Sequence, residues 1–324
     1  MREVRRVREV REVRGVRAPL LVFAALALLV IAAPGLAPYA PGRQFDGYPY
    51  APPMRPHVID AAGAWHLPFA HPISLADPIE RRYVEDRRAR ITFASREPWF
   101  LLGSDALGRD VLSRVLTGAR LSLGLALLSA ALALAIGAAI GAVAGYAGGW
   151  TDTWLMRIAD LALVLPVIYA VLALRGALPL VLTTVQVFTA FVAVFALVGW
   201  PSAARGVRGI VVVEGRSGYA EAARALGASP ARIIARHLLP ATRGFLAVQA
   251  TMLVPAFIMA EATLSFVGLG FAPPTPSWGV MLTDAASIRT TADTPWLLAP
   301  AGAIVLTVLV IHSVAHGRDP LLDS

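Results

Sequence analysis

EAARALGASPARIIARHLLP, residues 221–240, is the stretch on which the rest of the chain turns. Glu221 to Leu226 are good helix formers. Gly227 accepts a positive φ without a Cβ penalty, so it ends that helix and turns the chain. Ser229 suits an N-cap, and Pro230 suits the first helical position behind it. A second helix is expected to run to about Leu239, where Pro240 breaks it. Ile233, Ile234, His237 and Leu238 recur at helical spacing, with Arg232 and Arg236 on a neighbouring face. These signals specify a helix–glycine–helix elbow, half apolar and more elaborate than a linker needs. Such an elbow suits insertion into a groove of another protein.

On both sides of the elbow the chain is apolar. Of its 324 residues, 57% are Ala, Val, Ile, Leu, Met, Phe, Trp, Tyr or Cys and only 15% are charged. One water-soluble core cannot hide that much apolar surface, which places the chain in the membrane class. Six runs are expected to span: 18–40, 121–147, 155–174, 180–200, 245–271 and 296–314. Each is near or above the ~20 residues that cross a ~30 Å hydrocarbon core. The expected fold class is an all-α polytopic membrane protein with six transmembrane helices.

Two absences exclude whole chemistries. There is no Cys, hence no disulfide, thiol nucleophile or Cys-held zinc or iron–sulfur site. All 29 basic residues are Arg, so a phosphate-binding loop ending in Lys-Ser or Lys-Thr and a Lys Schiff base are both impossible. No catalytic residue, cofactor or metal site is expected. The net charge of +8 comes from Arg flanking apolar runs, which fits a bilayer rather than nucleic acid.

Charge also orients the chain. With the N-terminus inside, segments 1–18, 146–157, 200–243 and 315–324 hold 16 Arg, while the two short outer loops hold only Arg175 and Arg289. That is the positive-inside distribution; the ten Arg of the long segment 37–117 largely escape the rule. The expected organisation is a basic cytoplasmic tail (1–17), a first transmembrane helix (18–40) and an extracytoplasmic segment (41–117). A five-helix core (118–316), with its cytoplasmic loop at 211–240, and a cytoplasmic C-terminus (317–324) follow. The tail, built of Arg-Glu-Val-like triplets, has no clean apolar stripe and reads as disordered or lying on anionic lipid. A basic start before an apolar run also fits a secretory signal, but the basic region is unusually long and further spans follow. Residues 34–98 hold eleven of the 24 prolines and read as a loop-rich extramembrane segment.

Within the spans, Gly137, Gly141 and Gly145 form a strip on one helix face, which lets another helix approach closely. Asp160 follows Arg157 by three residues, which suggests a local ion pair. Glu261 lies deeper in its run and is either a buried structural acid or part of a transport pathway. His57, His66 and His71 read as loop histidines rather than metal ligands. His312 and His316, at i and i+4, lack the acidic residue of a zinc-helix motif between them. Asp105, Arg109 and Asp110, in GSDALGRD (103–110), suggest a hydrogen-bonded turn that anchors the start of the next helix.

The segment 221–240 resembles the EAA loop of membrane subunits of prokaryotic ABC importers. That pattern is E-A-A-x-x-x-G and, after nine residues, x-x-L-P; here Glu221, Ala222, Ala223, Gly227, Leu239 and Pro240 carry it. His237 stands where Ile is commonest, as in the peptide-importer branch, which usually ends R-H-x-L-P. GSDALGRD at 103–110 and AEATLSFVGLG at 260–270, continuing to PPTPSWG at 273–279, resemble the same branch. The chain is thus similar to the C-type permease of the dipeptide/oligopeptide/nickel importers, although 37–100 is longer than typical and 312–320 lack the usual ending.

The resemblance implies the type I ABC importer permease fold with six transmembrane helices, in a prokaryotic inner membrane. It also implies four further partners: a second homologous permease, two cytoplasmic ATP-binding subunits and an extracytoplasmic solute-binding protein. The EAA elbow would couple to the ATPase through Glu221, Ala222, Ala223, Arg224, Gly227, Arg232, Arg236, Leu239 and Pro240. Peptide is the first-choice substrate, with nickel or another small solute second. An ion-coupled secondary transporter is the competing class; it would want paired broken helices and more intramembrane acids than this chain carries.

Overall fold

The structure is a computed structural model that describes residues 2–60, 63–77, 80–92, 95, 97–164, 166, 169, 172–173, 182–286 and 292–316, with backbone alone for 2–17 and 314–316. It is mostly helical. Helix α1 (Arg2–Leu36) leads to two antiparallel hairpins: β1 (His57–Ile59) with β2 (Trp65–Phe69), and β3 (Ile73–Asp77) with β4 (Arg82–Glu85). The long helices α2 (Val111–Ala147), α3 (Gly149–Val164) and α4 (Thr184–Glu214) follow. Next come α5 (Gly218–Ala225), α6 (Pro230–Ile233), a π-helical turn (Ile234–Leu238) and α7 (Leu239–Ala241). Helix α8 (Arg243–Phe266), the short α9 (Trp278–Asp284), a 3-10 turn (Pro295–Leu298) and α10 (Ala299–His316) complete the chain.

Five helices among the described residues are long and apolar enough to cross a membrane: Ala18–Leu36, Val111–Ala147, Thr184–Glu214, Arg243–Phe266 and Pro295–Ser313. Of the expected span 155–174, helix α3 covers the part to Val164, and most of 165–174 lies outside the described residues.

Other helix bounds move for local reasons. Helix α1 begins at Arg2, so the tail is helical rather than disordered; its Arg and Glu are good helix formers. Helix α2 starts ten residues before the apolar run, and its 37 residues reach about 55 Å, more than a bilayer core needs. Helix α4 is capped by Thr183, whose hydroxyl accepts from the Gln186 N–H in a capping box, and runs on to Glu214 through Pro201, into residues expected to be loop. Helix α8 ends earlier than its apolar run. Gly268 has φ +84°, and the Leu269 N–H reaches the Leu264 carbonyl while Gly268 reaches Ser265. That pair of bonds is a Schellman cap.

The chain forms two compact units, Met1–Leu28 with Leu123–Glu261 and Thr307–Ser324, and Leu29–Ser122 with Ala262–Leu306. In the first, the glycine strip packs α2 against α4. A Cβ on Gly137 would fall 2.6 Å from the Ala203 Cβ and one on Gly145 2.8 Å from the Arg208 carbonyl; one on Gly141 would meet the Ala204 carbonyl. Steps of four along α2 therefore meet steps of about four along α4, and only a missing side chain permits the approach. In the second unit, the segment read as loop-rich has its own core. Ala51, Met54, Ala70, Ile73, Ile91, Trp99 and Phe100 are buried together. Its strands are three to five residues long, and β2 contains Pro68, so no periodic signal announces them.

Candidate functional site

The elbow is built in three steps. Helix α5 starts after Ser217, and the Glu221 N–H reaches the Ser217 carbonyl at 3.1 Å. It ends on a Schellman cap: the Ala228 N–H bonds the Ala223 carbonyl at 3.1 Å and the Gly227 N–H bonds the Arg224 carbonyl at 2.9 Å. Gly227 has φ +79°, and a Cβ there would touch nothing within 4 Å, so its backbone conformation is the sole constraint. Pro230 then occupies the first turn of α6 behind Ser229, whose side chain makes no capping bond.

Pro240 does not break the second helix. The helix widens instead to a π turn over Ile234–Leu238, with the Leu239 N–H reaching back to the Ile234 carbonyl, and continues as α7. Widening the turn relieves the proline ring and its missing N–H without stopping the helix. It also sets the register of the inner face. Ile233 and Leu238, five residues apart, are both fully buried.

The elbow therefore has two faces. Ala220, Ile233 and Leu238 pack with Ala142 of α2 and with Val207 and Val211 of α4. The opposite face is open: Leu226 is 88% exposed, and Glu221, Ala222, Arg232 and Arg236 are exposed as well. Ala223, Leu239 and Pro240 are half-buried. Arg224 is exposed but bound within the chain, donating to the Gly215 carbonyl and bracing the link between α4 and α5. Tyr219 donates to the Glu214 carboxylate, and burial raises its pKa.

Two pairs tie α3 to α4. Arg208 donates through Nε and Nη2 to the two carboxylate oxygens of Asp152, each at 2.5 Å, a forked geometry only Arg provides. Those bonds hold the Asp152 carboxyl below the usual carboxylate range. Asp160 pairs with Arg205, not with Arg157 as its spacing suggested. Arg157 instead lies over the Trp154 ring, 5.9 Å from its centroid. An i,i+3 neighbour on one helix lost to a partner on the packed helix, which spacing along a single helix cannot reveal. The four paired residues line a cavity of about 520 Å³.

In the other unit, Asp105, Arg109 and Asp110 make a buried turn before α2. Asp105 Oδ1 accepts from the Leu107 and Arg109 N–H groups at 2.9 and 3.0 Å, and its Oδ2 accepts from Arg109 Nε at 2.6 Å. Asp110 caps α2 by accepting from the Ser113 N–H at 2.8 Å and the Ser113 hydroxyl at 2.5 Å. Burial nevertheless raises the Asp110 carboxyl, with the Ser113 bonds opposing. Arg114, 2% exposed with Nε 3.5 Å from Asp105 Oδ2, belongs to the same cluster and was missed from the sequence. Its one signal is an Arg four residues past the Asp110 cap, inside a helix that soon becomes wholly apolar.

Glu261, on α8, is fully buried. His57 and His71 sit ring to ring, 5.0 Å apart, beside Phe69, and His66 pairs with Asp60. No group of three or more His, Cys, Asp or Glu among the described residues is placed to hold a metal ion. The side chain of His316 lies outside the described residues.

Comparison with known proteins gives consistent matches. Residues 137–318 match the family described as binding-protein-dependent transport system inner membrane component. The glutathione transport system permease protein GsiD of Salmonella typhimurium is 42% identical over 229 residues, covering 71% of this chain and 73% of that protein. Proteins of the same name from Shigella flexneri and Escherichia coli O6:H1 are 41% and 39% identical over the same length and shares.

Proposed function

Because the chain belongs to the binding-protein-dependent transport inner membrane family, as an ABC importer permease of the dipeptide/oligopeptide/nickel type, we propose that its elbow at 221–240 docks the partner ATPase and that its substrate is a small peptide. A permease of this kind is a multi-pass membrane channel subunit, not an enzyme. ATP hydrolysis lies in partner subunits, and a solute-binding protein supplies the solute.

The finer reading has both termini cytoplasmic, a second homologous permease completing the pathway, and lipid around the helices. The observation that supports coupling through the elbow is its two faces. Its inner face is locked onto α2 and α4 by Ile233 and Leu238, while Leu226 stands out between exposed charges. A rigid knob on two membrane helices transmits a push from outside the membrane into both of them. Nucleotide binding would close the ATPase dimer, carry the elbow with it, and switch the cavity between inward-facing and outward-facing states. Arg232 and Arg236 would meet acidic groups on the ATPase, whereas Arg224 serves the elbow's own shape. Peptide is favoured because the relatives are named for glutathione, itself a tripeptide.

The test is substrate-stimulated ATPase activity of the reconstituted complex carrying Gly227→Val. A β-branched residue at φ +79° costs about 1–2 kcal/mol or more and distorts the bend. Stimulation is expected to be lost in Gly227→Val and largely kept in Gly227→Asn, since Asn tolerates the left-handed region. Full stimulation in Gly227→Val with wild-type assembly would refute coupling through the elbow.

A further inference from the structure

We propose that the hairpin segment between α1 and α2 carries a binding groove for a small polycarboxylate the size of an acidic tripeptide. The groove has a volume of about 730 Å³, within the range of pockets that hold small molecules. Ala70 and Ile91 exchange backbone hydrogen bonds of 3.0 and 2.8 Å, which lays the chain at Ile91 beside the end of β2. The floor is aromatic. His57 stacks on Phe69 with centroids 5.8 Å apart, and His71 stands edge-on to Phe69 at 5.5 Å, with its Nδ1 donating to the Ala89 carbonyl at 2.8 Å.

The lining is cationic: Arg55, Arg87, Arg88 and Arg90 line the groove together with two carboxylates, Asp60 and Glu85. Those carboxylates satisfy them poorly. Arg87 Nε reaches Glu85, and Arg90 Nη1 reaches Asp60, only at 3.5 Å. A charge-assisted hydrogen bond is about 2.7–2.9 Å. Asp60 is already engaged, accepting from the Ala64 N–H at 2.9 Å and pairing with His66 at 2.8 Å. Arg55 and Arg88 make no ion pair with a described residue. His57 Nδ1, enclosed by protein, has no hydrogen-bond partner among the described residues.

Four Arg around one groove repel one another unless an anion lies between them. Carboxylates match the guanidinium fork, and the rings below cover an apolar stem. A single exposed guanidinium–carboxylate contact is weak. Recognition therefore requires several carboxylates along one ligand, which a compact anion such as phosphate does not present.

The test is calorimetric binding of tri-glutamate to the full chain in lipid nanodiscs, beside tri-alanine and inorganic phosphate. Wild-type protein is expected to bind tri-glutamate at least about tenfold more tightly than either comparator. Replacing both Arg55→Gln and Arg88→Gln should weaken that binding about tenfold, two lost surface pairs. Glu85→Gln, which removes a competing carboxylate, should strengthen it. Equal binding of tri-glutamate and tri-alanine, or of tri-glutamate and phosphate, would overturn the proposal, as would a folded double variant that binds like wild type. Were the double variant to misfold, Glu85→Gln decides alone: tighter binding supports the groove, and unchanged or weaker binding refutes it.

Discussion

Gly227 and Asp152 are single residues whose constraints are of different kinds. Gly227 has room for a side chain but not the φ for one. Asp152 has ordinary backbone and depends on one partner, Arg208. Its carboxyl is held below the ordinary value of about 4, so the pair's contribution is complete above that pH. It is lost as pH falls through the depressed value. The thermal midpoint of Asp152→Asn in detergent should therefore lie below wild type at pH 7, with the gap closing on acidification below about pH 4. A gap that stays constant with pH would show that the pair is not what the substitution removes. Glu261 raises a separate question, since a fully buried carboxylate in a membrane helix is costly and usually serves a pathway. Glu261→Gln should lower uptake several-fold at wild-type abundance; normal uptake would leave Glu261 a structural acid.

Among the elements, the α2–α4 contact is the most sharply specified. The glycine strip was legible because bare backbone at i, i+4 and i+8 has one strong use in a membrane helix. Its partner surface was not, because Ala203 and Ala204 look like any other apolar residues until the helices are packed. Gly141→Val should abolish folded, membrane-inserted protein or lower its stability by about 1–3 kcal/mol, because the new atoms meet a carbonyl rather than a movable side chain. Gly209→Ala on α4 is the control. A Cβ there meets nothing within 4 Å, so stability should be unchanged or slightly raised. Fluorescence-detected size exclusion after heating separates the two outcomes. The same reasoning explains the elements that moved. Pro201 and Pro240 are absorbed by α4 and by the π turn, and sequence alone does not say which neighbouring backbone can adjust.

For the whole molecule, the membrane class, the family and the elbow were legible from apolar run lengths, Arg placement and the residues of 221–240. The cross-helix pairs Asp152–Arg208 and Asp160–Arg205 were not, nor was the hairpin layer, since both depend on chain segments distant in sequence. The elbow's direction of exposure was also hidden. Leu226 reads as the last apolar residue of a helix, yet it is the most exposed large hydrophobic side chain among the described residues. On the proposed reading, this protruding leucine meets the ATPase subunit. The protein has no cysteine of its own, so Leu226→Cys is a unique reporter. With a bifunctional maleimide in membranes holding the assembled importer, this cysteine should cross-link to the ATPase subunit, and the adduct should disappear when that subunit is omitted. Capture of the solute-binding protein at this position, or labelling from the outer surface of intact cells, would contradict the account at its centre.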